Sequence, residues 1–154
     1  MKSRFSLPLL LITSFIAIFA ISGFRSYEGN EPWTAKQLLV PEDLARIINY
    51  PAGKQPIIFS IGPDAIIKNS IDIGSVKEKQ NLDKLKQELK ELSKDASIVI
   101  YCGCCPFEHC PNIRPAFKLL NKMKFTNHKL LNLEHNIKID WLNKNYPVAQ
   151  LQGK

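Results

Sequence analysis

Ser97-Ile98-Val99-Ile100-Tyr101-Cys102-Gly103-Cys104-Cys105-Pro106-Phe107-Glu108-His109-Cys110-Pro111-Asn112-Ile113-Arg114-Pro115 is the stretch on which the fold turns. Its first five residues form a short apolar run rich in β-branched side chains, the pattern of a buried strand. After Asn112, apolar residues recur at Ile113, Phe117, Leu120 and Met123. That spacing follows one face of a helix, with Asn112 as its N-cap. A cysteine-bearing loop therefore joins the end of a buried strand to the start of a helix.

The flanking sequence repeats the alternation. Upstream, Pro41-Glu42-Asp43-Leu44 opens a short helix with proline and acids in its first turn, and Leu44, Ile47 and Ile48 form its apolar stripe. Ile57-Ile58-Phe59-Ser60-Ile61, closed by Gly62-Pro63, predicts a buried strand, and Ile71 to Gly74 a weaker one. Between Asn81 and Leu92, leucines at 82, 85, 89 and 92 mark an amphipathic helix. Downstream, Lys129 to Leu133 predicts another strand and Asn136 to Asn143 a last short helix carrying Trp141, before Tyr146-Pro147-Val148. This order predicts an α/β domain whose central, mainly parallel sheet has helices on both faces. In such sheets the active site lies at the carboxyl ends of the strands, where the cysteines fall.

The chain has 154 residues, enough for one domain, with 45% hydrophobic and 23% charged residues, which excludes a disordered or fibrous protein. The net charge is +7, but the basic residues are dispersed and do not interleave with aromatics, so no nucleic-acid partner is expected. All four cysteines fall between Cys102 and Cys110, which excludes a disulfide framework stapling distant loops. Lys2 and Arg4 precede an apolar stretch from Phe5 to Phe24. Residues 1–22 read as a signal peptide cut after Ser22, or as an uncleaved anchor, the only case in which a membrane contact is expected. Residues 23–35 read as a linker and 36–154 as the domain. The expected location is periplasmic or secreted.

Backbone N–H groups of a helix's first turn lack intrahelical partners and, with the helix dipole, favour an anion. A cysteine held there has a lowered pKa and is a good nucleophile. Cys102, at the strand end, is the expected nucleophile, with Arg114 and the amides from Cys104 to Cys110 stabilising its anion. Three chemistries use these residues. The first is sulfur transfer through a persulfide on Cys102. The second is thiol–disulfide exchange, with Cys102 and Cys105 as a Cys-x-x-Cys redox pair, Cys104 and Cys110 as further candidate resolving thiols, and a redox partner protein that resets the loop; a Cys104–Cys110 or Cys105–Cys110 bridge would instead be structural. The third is a soft-metal site formed by Cys102, Cys104, Cys105 and Cys110, with His109 as a further ligand and Cu(I) fitting better than zinc. Adjacent Cys104 and Cys105 point apart on an extended backbone, which counts against a four-thiolate cage. A cysteine phosphatase needs an arginine six positions after its cysteine; positions 108, 110, 111 and 116 hold Glu, Cys, Pro and Ala. His128 and His135, flanking the last strand, are expected at the surface, and Trp33 and Trp141 in packing roles.

Four stretches resemble the rhodanese-like sulfurtransferase family. They are Ile98-Val99-Ile100-Tyr101-Cys102, Arg114-Pro115-Ala116, the terminal Leu130-Leu131-Asn132-Leu133 with Trp141 and Tyr146-Pro147-Val148, and the opening Leu44-Ala45 with Ile57-Ile58-Phe59. The resemblance covers roughly Pro41 to Val148, and the loop from Cys102 to Arg114 is long and cysteine-rich beside the family's usual one. It implies a parallel α/β fold, no organic cofactor, and Cys102 as sulfur acceptor. The persulfide sulfur would come from a small sulfur-containing anion and pass to a thiophilic acceptor such as a thiol.

Overall fold

The computed structural model describes residues 31–150. The segment read as a signal peptide, and the linker as far as residue 30, lie outside the described residues. Among the described residues no helix is long and apolar enough to cross a membrane.

The chain runs β1 (Leu38–Leu39), α1 (Pro41–Asn49), β2 (Ile57–Ser60), β3 (Ser70–Asp72), α2 (Lys79–Lys90), β4 (Ile98–Tyr101), α3 (Ile113–Lys122), β5 (His128–Leu131) and α4 (Ile137–Asp140). The five strands form one sheet in the order β1-β5-β4-β2-β3, and every pairing is parallel. β4 is the central strand. It pairs Ile98 with Ile57 on one side and with His128 on the other.

Side-chain alternation along the strands divides the core in two. Phe59, Ile98, Ile100 and Leu130 face a cluster with Leu85 and Leu89 of α2 and Ile113, Ala116, Phe117 and Leu120 of α3. Ile58, Val99, Tyr101 and Leu131 face a second cluster with Leu44, Ala45 and Ile48 of α1 and Trp141. Both faces of the sheet are thus covered by helices, which is why its central strands read as continuous apolar runs rather than alternating ones. The α1 helix starts on Pro41 at its first position, followed by Glu42 and Asp43.

Several local expectations are revised. β1 has only two residues and carries no strand pattern of its own; pairing of Leu38 with Leu130 and Leu39 with Leu131 creates it. β3 starts one residue and ends two residues earlier than expected, and Ile73 is buried just beyond its end. The last helix is a single turn from Ile137 to Asp140, because Trp141 leaves helical geometry and turns its fully buried ring inward, with Nε1 donating to Pro147 O at 2.9 Å. His128 is buried, not at the surface: it shares the inward parity of Leu130 and lies 4.6 Å, centroid to centroid, from Phe117. Its Nε2 is 2.9 Å from Asn121 Oδ1, and burial lowers its pKa. The end of the stretch read as a linker packs on the domain, with Trp33 against Phe107 and Phe117 and Asn121 Nδ2 donating to Pro32 O at 2.7 Å.

Candidate functional site

The carboxyl ends of β2, β3, β4 and β5 converge on the cysteine loop. Ile61 N–H after β2 donates to Tyr101 O, which holds the β2 exit beside the start of the loop. Gly103 O accepts from Ile137 N–H, and Phe107 N–H donates to Leu133 O, so the segment after β5 forms the other wall. Tyr101 is buried on the opposite face, and its hydroxyl lies 3.1 Å from both Ile67 N and Ser70 Oγ. The strand that ends in Cys102 is therefore anchored from both sides.

Cys102 is 1% exposed, with Sγ on the same side of β4 as Ile98 and Ile100. Gly62 stands directly against it: a Cβ at position 62 would lie 2.9 Å from Cys102 Sγ. Only a glycine lets the β2 exit approach the sulfur so closely. Cys104 is exposed and its Sγ is 3.3 Å from that of Cys102. Cys105 Sγ lies 3.1 Å from Cys104 Sγ. The backbone bends at these two residues, so their side chains converge instead of pointing apart as an extended chain would place them. Cys110 is fully buried, and the sulfurs of Cys102, Cys104 and Cys110 lie within 4.8 Å of one another. All four cysteines are free thiols in this structure.

These neighbours divide the protons unevenly. Cys102 is held down at about 5. The thiol of Cys110 contributes most, against burial, which opposes it; the Cys104 amide, Asn112 Nδ2 and the Cys104 thiol add to the effect. Burial and the adjacent thiols push Cys104 up to about 12. Cys110 is pushed well above the ordinary thiol range, first by its bond to Cys102 and then by burial. Of Cys102, Cys104 and Cys110, Cys102 is therefore the one whose surroundings favour the thiolate.

Asn112 does more than the cap role read from the sequence, and its side chain makes no capping hydrogen bond. It is buried; Oδ1 accepts from Ser75 Oγ and from Lys77 N–H, both at 2.9 Å, and Nδ2 donates to Cys102 Sγ at 3.3 Å. One amide thus ties the β3–α2 connection to the thiolate. No sequence rule distinguishes this from a cap, because both place an Asn just before a helix. Gly62 was equally hidden, since a glycine after a strand reads first as a turn.

Arg114 does not join the group around Cys102. Its Nη2 engages Glu31 Oε1 and Glu108 O, and the guanidinium lies 5.5 Å from the Trp33 ring centroid. The positive charge foreseen for the anion is spent on a pair with Glu31, leaving neutral donors to stabilise the thiolate. His109 and Glu108 are exposed on a single 3-10 turn, Phe107–His109, next to a cleft of about 530 Å³ that they line with Leu38, Asn132 and Glu134. His135 is exposed and pairs with Asp140 at 2.9 Å.

No protein-family model and no curated protein matches the chain. The α/β fold, the parallel sheet and the cysteine cluster are compatible with a rhodanese-like domain. A thiolate at about 5 beside protonated thiols can act as a nucleophile toward sulfur. Alternatively, Cys102, Cys104 and Cys110 can offer three soft ligands to one ion.

Proposed function

We propose that the protein is an exported, rhodanese-like sulfurtransferase in which Cys102 accepts a sulfane sulfur and passes it to a thiophilic acceptor. The observation that carries this reading is the place of Cys102 at the carboxyl end of the central strand, its Sγ gathered with those of Cys104 and Cys110 and facing Asn112 Nδ2, an environment that lowers its pKa to about 5. A thiolate is the species that attacks sulfur, and the lowered pKa favours that form of Cys102. With thiosulfate as donor, Cys102 Sγ forms a bond to the outer sulfur, the bond to the sulfonate sulfur breaks, and sulfite leaves with the electron pair. The partners on this reading are a small sulfur-containing anion and a thiol acceptor, with no nucleic acid.

Reduced protein given thiosulfate should take up its outer sulfur on Cys102 and release sulfite, the sulfur then leaving as thiocyanate to cyanide or as sulfide, and Cys102→Ser should abolish both products. Absence of sulfite, thiocyanate and sulfide from the folded wild-type protein would end this reading. A second reading, a soft-metal module, draws on the three sulfurs within 4.8 Å of one another. Stoichiometric Cu(I) retained by the wild type against a competing chelator, together with no sulfur uptake from thiosulfate, would favour it.

A further inference from the structure

We propose that Cys104 is a resolving thiol, so that sulfur taken up at Cys102 is released as free hydrosulfide and the site is left as a Cys102–Cys104 disulfide. The inference rests on the sulfur-acceptor reading of Cys102. It adds a second activity: reduction of a sulfane sulfur rather than its transfer.

The placement of the sulfurs carries it. Cys104 Sγ is 3.3 Å from Cys102 Sγ, within the near-attack range for two reacting atoms. Cys102 is 1% exposed whereas Cys104 is exposed, so an acceptor arriving from solvent meets Cys104 before it can reach Cys102. A thiol held in the same loop competes at a high effective concentration with any external acceptor. Cys110 is the poorer candidate, because it is fully buried and its proton is engaged by Cys102. Cys105 lies against Cys104, not Cys102.

The step balances without another reactant. Cys104 Sγ bonds to Cys102 Sγ. The bond from Cys102 Sγ to the outer sulfur breaks, and its electron pair leaves with the outer sulfur, which takes the Cys104 proton and departs as hydrosulfide. The outer sulfur gains two electrons, and the two cysteine sulfurs supply them. Resetting the site needs a dithiol reductant. Its attack falls on the exposed Cys104 sulfur, and Cys102 leaves, as the thiol of lower pKa.

The test adds thiosulfate to the fully reduced protein under anaerobic conditions with no other thiol present. Wild type should release about one equivalent of sulfide and end about 2 Da lighter. Fragmentation of the Cys102–Phe107 peptide should place the bridge between Cys102 and Cys104. Cys104→Ser should release no sulfide, hold about 32 Da of added mass, and give that sulfur up to cyanide as thiocyanate. A wild type that keeps the added sulfur overturns the proposal. So does a Cys104→Ser variant that releases sulfide at the wild-type rate, or a bridge mapped to another pair. If neither protein takes up sulfur or forms thiocyanate, the sulfur-acceptor reading of Cys102 has failed and this inference fails with it.

Discussion

Replacing Cys110 with alanine should raise the ionisation of Cys102 from about 5 by one to two pH units. The Cys110 thiol is the largest contributor to the low value, ahead of the Cys104 amide and Asn112 Nδ2, and burial of Cys102 works against all three. A hydrogen bond to a charged group is worth about 1.5–3 kcal/mol. One pH unit corresponds to about 1.4 kcal/mol, which sets the expected displacement at roughly one to two units. Alanine removes the donor without adding a polar group, and the fully buried site loses only one sulfur atom's volume. The assay is ultraviolet absorbance of the thiolate against pH, with Cys102→Ser as the blank and circular dichroism to confirm folding. The coupling should also be reciprocal: in Cys102→Ser, Cys110 should ionise closer to an ordinary thiol. An unmoved midpoint in folded Cys110→Ala would refute the account, as would a wild-type thiolate signal that appears only above pH 8.

Three further outcomes follow from the same geometry. Gly62→Ala puts a methyl 2.9 Å from Cys102 Sγ, so it should slow sulfur uptake in the thiosulfate–cyanide assay and cost about 1–3 kcal/mol in denaturant unfolding. Arg114→Ala breaks a half-exposed pair with Glu31 and should cost about 1 kcal/mol or less; the Cys102 midpoint should stay in place, and a large upward move would show that the guanidinium does act on the thiolate. Burial lowers the His128 pKa, so the unfolded chain takes up its proton first as pH falls: stability from this residue is intact above the ordinary histidine value and is lost below it. His128→Asn should flatten the acid limb of the stability–pH curve, measured as urea midpoints between about pH 4 and 7.

Much of the architecture was legible because it rests on local pattern. Ile57–Ser60 and Ile98–Tyr101 are apolar runs too short for helices and closed by turn or loop residues, and both are strands. The leucines from 82 to 92 mark one face of a helix, and Leu85 and Leu89 are fully buried on it. The alternation of such elements implied a parallel sheet, and parallel sheets need helical cover on both faces. His128 follows the same rule: its parity with Leu130 places it inward despite its polarity.

The rest depended on contacts between distant residues. Leu38-Leu39 becomes a strand because Leu130 and Leu131 are there to pair with it. Arg114 lies in the cysteine loop by sequence, yet Glu31, which is 83 positions away, takes its charge. Asn112 satisfies the local rule for a cap, while Ser75 and Lys77 decide where its amide points. Sequence alone determined that four cysteines would gather at a strand end before a helix, since spacing along one loop is enough for that. The strand-end position also singled out Cys102, but the groups that lower its pKa were decided by tertiary structure. Chemically identical thiols differ only in the donors and burial around them, and those come from Cys110, the Cys104 amide and Asn112, which the folded chain brings together around Cys102.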